Sequence, residues 1–170
     1  MEPRTLFVTG GARSGKSSHA LAEAEKSGLS LVFIATAQAS DPEMAARIDR
    51  HRDERGPQWT TIECPVALAD LIAEQADPSR ILLIDCLTLW TSNLMFGGHD
   101  IVTETARLVG AIEHAKGPLI LVTNEVGLGI VPDNALSREF RDAAGRVNQA
   151  VAAACSEAVM IVSGLLLRLK

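Results

Sequence analysis

The chain contains no tyrosine, and only two tryptophans and four phenylalanines among its 170 residues. A nucleic-acid surface built on stacked aromatics needs more than that. Positive charge is scarce too. Sixteen Lys and Arg against 21 Asp and Glu give a net charge of −5, which speaks against a general polyanion binder and requires any phosphate site to be local. The three cysteines (Cys64, Cys86, Cys155) are odd in number, far apart and form no CxxC pair. They support neither a disulfide framework nor a zinc site, and read as small core residues in a reduced compartment. The longest apolar runs, such as Ile81 to Ile84 and Leu119 to Val122, are far shorter than the ~18 residues a membrane span needs. No basic segment followed by an apolar one opens the sequence, so a cytoplasmic location is expected.

Aliphatic residues are plentiful: 47% of the chain is apolar. At this length about 70% of the unfolded surface can be buried, and one domain over residues 1–170 is the simplest organisation.

Short apolar runs alternate with longer amphipathic ones. Leu6 to Val8 reads as a strand running into Thr9-Gly10-Gly11, and Lys16 to Lys26 as a helix with Ala20, Leu21 and Ala24 at helical spacing. Leu31 to Ala35, Ile81 to Asp85, Leu119 to Thr123 and Val159 to Ser163 read as further strands, with a short one at Thr60 to Glu63. Helices are expected over Glu43 to Arg55, Val66 to Ala76, Leu87 to Phe96, Thr103 to Ala115 and Leu136 to Ala154. In the last, Leu136, Phe140, Val147 and Val151 should face the core. Leu165 to Leu169 is expected as an antiparallel edge strand. Strands without polar alternation, joined by helices, imply an α/β fold: a mostly parallel sheet with helices on both faces. Ligands bind beyond the carboxyl ends of such strands.

Gly10-Gly11-Ala12-Arg13-Ser14-Gly15-Lys16-Ser17 matches G-x-x-x-x-G-K-[ST] in full, between a strand and a helix as the motif requires. Glycines let the backbone curl until successive N–H groups face a phosphate at a helix N-terminus. Lys16 supplies a cation between β- and γ-phosphates, and the Ser17 hydroxyl suits Mg²⁺. Ile81-Leu82-Leu83-Ile84-Asp85 ends four apolar residues in a carboxylate, the pattern of a strand that orients Mg²⁺ beside such a loop. Together these imply a Mg²⁺–nucleoside triphosphate site.

Arg47, His51 and Arg55 are spaced four apart, on one face of the expected charged helix. Neighbouring guanidinium groups disfavour imidazolium and keep the ring neutral and nucleophilic, while the same arginines suit phosphate oxygens. Spacing alone leaves two readings open: a solvated charged helix, or a nitrogen nucleophile for a phosphoryl or nucleotidyl group. His19, His99 and His114 lack ligand spacing. Trp59 and Trp90 read as core or interface. Arg138, Arg141 and Arg146 suit phosphate or solvent equally, and Thr123-Asn124-Glu125 suits substrate contact or turn capping.

Longer stretches carry a resemblance: residues 9–17, Ile34-Ala-Thr-Ala-Gln38, Glu43-Met-Ala-Ala-Arg-Ile48 with His51, Trp59 with Glu63-Cys64, Leu83-Ile-Asp-Cys-Leu-Thr88, Leu121 to Pro132, Phe140 to Gln149 and Val162-Ser-Gly164. Through them the chain resembles, essentially end to end, the bifunctional adenosylcobinamide kinase / adenosylcobinamide-phosphate guanylyltransferases of cobalamin biosynthesis. The resemblance implies a RecA-like P-loop NTPase fold and a homotrimer. It also implies two reactions: phosphorylation of adenosylcobinamide by ATP or GTP, then transfer of GMP from GTP through a covalent histidine–GMP intermediate to adenosylcobinamide phosphate. The family histidine falls on His51, whose neighbour is Arg50 where some relatives have a second histidine. Nucleotide contacts map onto Gly10 to Ser17, Thr36, Ala37, Gln38, Arg52, Asp53, Glu54, Arg55, Glu63 and Asp85, with Ser17 and Asp85 at the metal. The alternative is a P-loop small-molecule kinase retaining only the first step. A GTP-dependent switch would select guanine with Asn-Lys-x-Asp after a late strand, but Asn124-Glu125-Val126-Gly127 lacks both Lys and Asp.

Overall fold

The computed structural model describes residues 3–39, 45, 46, 48 and 55–170. In chain order the described elements are β1 (Thr5–Gly10), α1 (Lys16–Glu25), β2 (Ser30–Ala35), β3 (Trp59–Glu63), α2 (Leu68–Gln75) and β4 (Arg80–Asp85). They continue with α3 (Leu87–Phe96), α4 (Ile101–Glu113), β5 (Leu119–Val122), α5 (Ala135–Ala154), β6 (Glu157–Val162) and β7 (Leu165–Arg168). The strands form one sheet in the order β3-β2-β4-β5-β1-β6-β7. Every pairing is parallel except β6 with β7, where Val162 opposes Leu165.

Period-2 alternation along continuous apolar strands feeds two cores at once. Phe7, Val32, Ile34, Leu82, Ile84, Leu119 and Leu121 point to the face covered by α2 to α5, where Leu68, Ile72, Leu87, Trp90, Leu94, Leu108, Ile112, Val147 and Val151 meet them. Leu6, Val8, Phe33, Ile81, Leu83, Ile120 and Val122 point to the other face, against Ala20 and Ala24 of α1. Small residues there let α1 lie close on the sheet, which brings its N-terminus up to the carboxyl end of β1. Both tryptophans are core residues. Trp90 Nε1 donates to Val66 O at 2.7 Å, and Trp59 packs edge-on to Phe33 with centroids 6.2 Å apart.

The structure departs from the expected pattern at several points. α4 starts two residues early because the Asp100 side chain accepts from the backbone N–H groups of Val102 and Thr103, capping a helix at Ile101. α2 is shorter at its start, beginning at Leu68 after Pro65. The core face of α5 lies further along than expected: Leu136 is 50% exposed and Phe140 only half-buried, while Ala143, Ala144, Val147 and Val151 are buried. A 20-residue helix is about 30 Å long, more than twice the reach of four-residue β5 at about 3.3 Å per residue. The first turn of α5 therefore overhangs the sheet edge. The expected helix over Glu43 to Arg55 lies largely outside the described residues, of which Ala45, Ala46, Ile48 and Arg55 are helical.

Candidate active site

The carboxyl ends of the strands form one rim. Ala35 pairs with Glu63 on one side and with Asp85 on the other; Asp85 pairs with Val122, and Val122 with Val8, two residues short of Gly10. Parallel register alone thus aligns Glu63, Ala35 and Asp85 with the loop that leaves β1.

That loop is tightly folded. A Cβ on Gly10 would stand 2.5 Å from Ser14 Oγ and 2.6 Å from Ile161 O, so only glycine fits. Gly15 adopts φ +97°, open to glycine at no steric cost. The loop is also tied to the β6–β7 turn, where Gly164 N donates to Ser14 O at 2.8 Å. The Lys16 ammonium folds back over the loop and donates to Gly11 O at 3.2 Å, with only 8% of the residue exposed. The first N–H groups of α1 lack intrahelical acceptors, and with Lys16 they make a compact cationic cradle.

Asp85 closes the other side. Ser17 Oγ donates to Asp85 Oδ2 at 3.0 Å. Two hard oxygen donors at that separation suit Mg²⁺, which takes one or two protein oxygens and completes its octahedron with water and phosphate. The residues present therefore fit the ion. No cluster of three His, Cys, Asp or Glu among the described residues forms a separate metal cage.

Thr36, just past β2, is fully buried. Its hydroxyl donates to Cys86 O at 2.7 Å and accepts from Cys86 N at 2.8 Å. It staples the backbone immediately after Asp85, so its hydroxyl is committed to positioning. Asn93 Nδ2 extends the staple, donating to Thr36 O and Pro65 O. The Cys86 thiol is pushed up to about 11, first by burial and then by the adjacent Asp85 carboxylate, so it stays protonated and inert at neutral pH. Ala37, half-buried, and Gln38, exposed, follow on the rim, as does exposed Glu63.

β5 leaves the sheet between Asp85 and the phosphate loop. Thr123 Oγ1 donates to Asn148 Oδ1, Asn124 N donates to Thr88 Oγ1, and Glu125 N donates to Gly10 O at 2.9 Å. Glu125 Oε1 accepts from Gly127 N at 2.7 Å, capping the turn. Arg138 donates to Pro132 O and Asp133 O, and Arg141 pairs with Asp142. Sequence reasoning missed Thr88, Asn93 and Asn148 as supports of this rim. Polar residues inside the otherwise apolar run Leu87 to Phe96 were the available signal for the first two.

Arg55 is placed differently from the rest. It is 7% exposed, its guanidinium carbon lies 3.7 Å from the Phe33 ring centroid, and Nη2 donates to Thr61 Oγ1 at 3.4 Å. Phe33 lies two residues inside the rim, so the structure seats Arg55 against β2 and β3, on the sheet face that α1 also covers. Arg47, His51, Arg52, Asp53 and Glu54 lie outside the described residues.

Known proteins are similar to the chain at two levels, fold and sequence. At the level of fold, the chain is similar to the RadB recombinase (TM-score 0.53, 15% identity, 92% of this chain and 73% of that one). It is also similar to the flagellar accessory protein FlaH of Methanocaldococcus jannaschii (TM-score 0.50, 11% identity, 96% and 74%). These likenesses bear on the fold alone, a RecA-like, mostly parallel sheet. In sequence it is 43% identical over 180 residues to the bifunctional adenosylcobalamin biosynthesis protein CobU of Escherichia coli K12, covering 97% of this chain and 99% of that protein. It is 45% identical over 166 residues to CobP, the protein of the same description from Pseudomonas aeruginosa, covering 96% of each. Residues 6–169 match the family model described as cobinamide kinase / cobinamide phosphate guanyltransferase, and the chain belongs to that family.

Proposed function

We propose that this chain phosphorylates adenosylcobinamide with ATP or GTP and then transfers GMP from GTP to the new phosphate, giving adenosylcobinamide-GDP and pyrophosphate. Both reactions use one domain spanning residues 1–170. The observation that carries this reading is the family match over residues 6–169, supported by the hydrogen bonds of Lys16 to Gly11 O and of Ser17 to Asp85.

In the kinase step the acceptor hydroxyl oxygen bonds to the γ-phosphorus and the γ-phosphorus–bridging oxygen bond breaks. The nucleoside diphosphate leaves and the hydroxyl proton passes to solvent. Lys16 and the loop N–H groups from Gly11 to Ser17 hold the charge that builds on the bridging and non-bridging oxygens. Ser17 and Asp85 would hold Mg²⁺, which would neutralise phosphate charge. Ala37, Gln38 and Glu63 line the rim on which the nucleoside lies, and Thr36 positions Asp85.

In the transfer step a His51 ring nitrogen bonds to the α-phosphorus of GTP and pyrophosphate departs. A phosphate oxygen of adenosylcobinamide phosphate then displaces the imidazole. Splitting the transfer in two replaces one hard step by two easier ones. Arg52, Asp53, Glu54 and Arg55 accompany His51 as nucleotide contacts, with Arg55 leaving its seat on Phe33 to serve. We infer a cytoplasmic homotrimer, for whose contacts the exposed leucines of β7 (Leu165, Leu166, Leu167) offer apolar area.

The test is covalent labelling of wild type and His51→Ala with Mg²⁺ and α- or γ-labelled GTP, followed by denaturation. An acid-labile, α-derived adduct absent from the variant is expected. No α-label on folded, nucleotide-binding wild type would leave a kinase retaining only the first step, and label surviving the substitution would move the nucleophile elsewhere.

A further inference from the structure

The segment from Val126 to Pro132, Val-Gly-Leu-Gly-Ile-Val-Pro, has no charged side chain in a chain of net charge −5. It is also unusually bare: Ile130 is 98% exposed, Leu128 79% and Val131 61%, and Leu136 in the first turn of α5 is 50% exposed. Single exposed apolar residues are ordinary, but a contiguous row of this kind marks a surface that meets an apolar partner.

Its position selects the partner. β5 lies between β4, which ends in Asp85, and β1, which continues into the phosphate loop, so the segment leaves the sheet at the mouth of the nucleotide site. Glu125 N is hydrogen-bonded to Gly10 O at 2.9 Å, one residue before the apolar row begins. The far end is held as well, with Arg138 Nη1 donating to Pro132 O and Asp133 O at 2.9 Å each and Asn134 Oδ1 accepting from Ser137 N. A row pinned at both ends presents its side chains at little ordering cost.

We infer that Val126, Leu128, Ile130 and Val131 form the subsite for the macrocycle of the corrinoid acceptor, an inference that rests on the proposed function. A hydroxyl aligned with a γ-phosphate over Lys16 leaves the ring that bears it outside the strand rim. There the ring's methyl-bearing edge meets an uncharged apolar ledge. A nucleotide has no use for such a ledge, so the subsite separates acceptor binding from donor binding.

The test is the full chain carrying Leu128→Ser and Ile130→Ser, assayed for transfer from γ-labelled GTP to adenosylcobinamide. The KM for adenosylcobinamide should rise at least about tenfold, since two aliphatic side chains lose their burial. The KM for GTP, uptake of α-label and the melting temperature should stay at wild-type values, and the conservative pair Leu128→Met and Ile130→Val should restore the acceptor KM. As an independent readout, Leu128→Trp should report adenosylcobinamide by quenched fluorescence. An active wild type whose acceptor KM is unchanged by the serine pair would overturn the inference. So would a change in sedimentation mass in that variant, which would assign the row to a contact between copies. A wild type that phosphorylates no corrinoid would instead overturn the proposed function.

Discussion

The Ser17 hydroxyl donates to Asp85 at 3.0 Å across 68 residues of sequence, joining the first turn of α1 to the end of β4. The two halves of the proposed Mg²⁺–nucleotide site therefore stand in contact.

Replacing Asp85 by Asn keeps the size of the side chain and removes its charge. Both half-reactions should fall roughly 100-fold or more, as when a preorganised electrostatic group at a transferring phosphoryl is removed. Steady-state rates with labelled GTP check this, with circular dichroism confirming the fold. Near-wild-type turnover would dismiss Asp85 from the site.

Gly10→Ala should weaken GTP binding at least about tenfold. The new methyl would meet Ser14 Oγ and the Ile161 carbonyl at 2.5 and 2.6 Å. The carbonyl belongs to β6 and cannot yield, so the loop must open. Titration with a fluorescent GTP analogue measures the loss. Gly11→Ala, whose Cβ would meet nothing within 4 Å, should bind far better than Gly10→Ala.

Thr36→Val should cost about 2–3 kcal/mol of stability, because the Cys86 N–H and C=O lose their shared partner in a buried place. Urea melts should show a lower midpoint at unchanged slope. Thr36→Ser, which keeps the hydroxyl, should lie close to wild type.

Alkaline pH should loosen the fold through the buried thiols. Burial raises Cys155 from 9.0 to about 12, against a smaller lowering by Lys170, and Cys86 from 9.0 to about 11. A raised folded pKa means the native state keeps a proton that the unfolded chain has lost. Stability is therefore full below pH 9 and falls as pH rises toward those values, by about 1.4 kcal/mol per unit for each thiol. Urea melts between about pH 8 and about pH 10, one unit either side of the unfolded thiol value, should show this slope, and Cys155→Ala should reduce it.

Most of the fold was legible because its strands are buried on both faces. A run such as Ile81 to Ile84 has no polar alternation to confuse with a surface strand, and the glycine-rich turn after Val8 identified β1 and α1 together. The overhang of α5 was not legible. Leu136 and Phe140 sit at proper helical spacing, but whether the sheet extends beneath them depends on the length of β5. Thr36 was legible as a rim residue and not as a staple, because the Cys86 backbone it holds lies 50 positions away. The seat of Arg55 on Phe33 was equally hidden, since helical spacing places a guanidinium on a face without saying what that face meets.

Local pattern by itself determined the elements, the phosphate loop and the family, because each is written in contiguous residues whose backbone and side-chain demands are satisfied nearby. Tertiary structure alone decided which distant groups meet: Asp85 with Ser17, Thr36 with Cys86, Glu125 with Gly10, and the bare row of Leu128 and Ile130 at the mouth of the site. Those meetings follow from strand order and register, which arise only when every strand has found its neighbour.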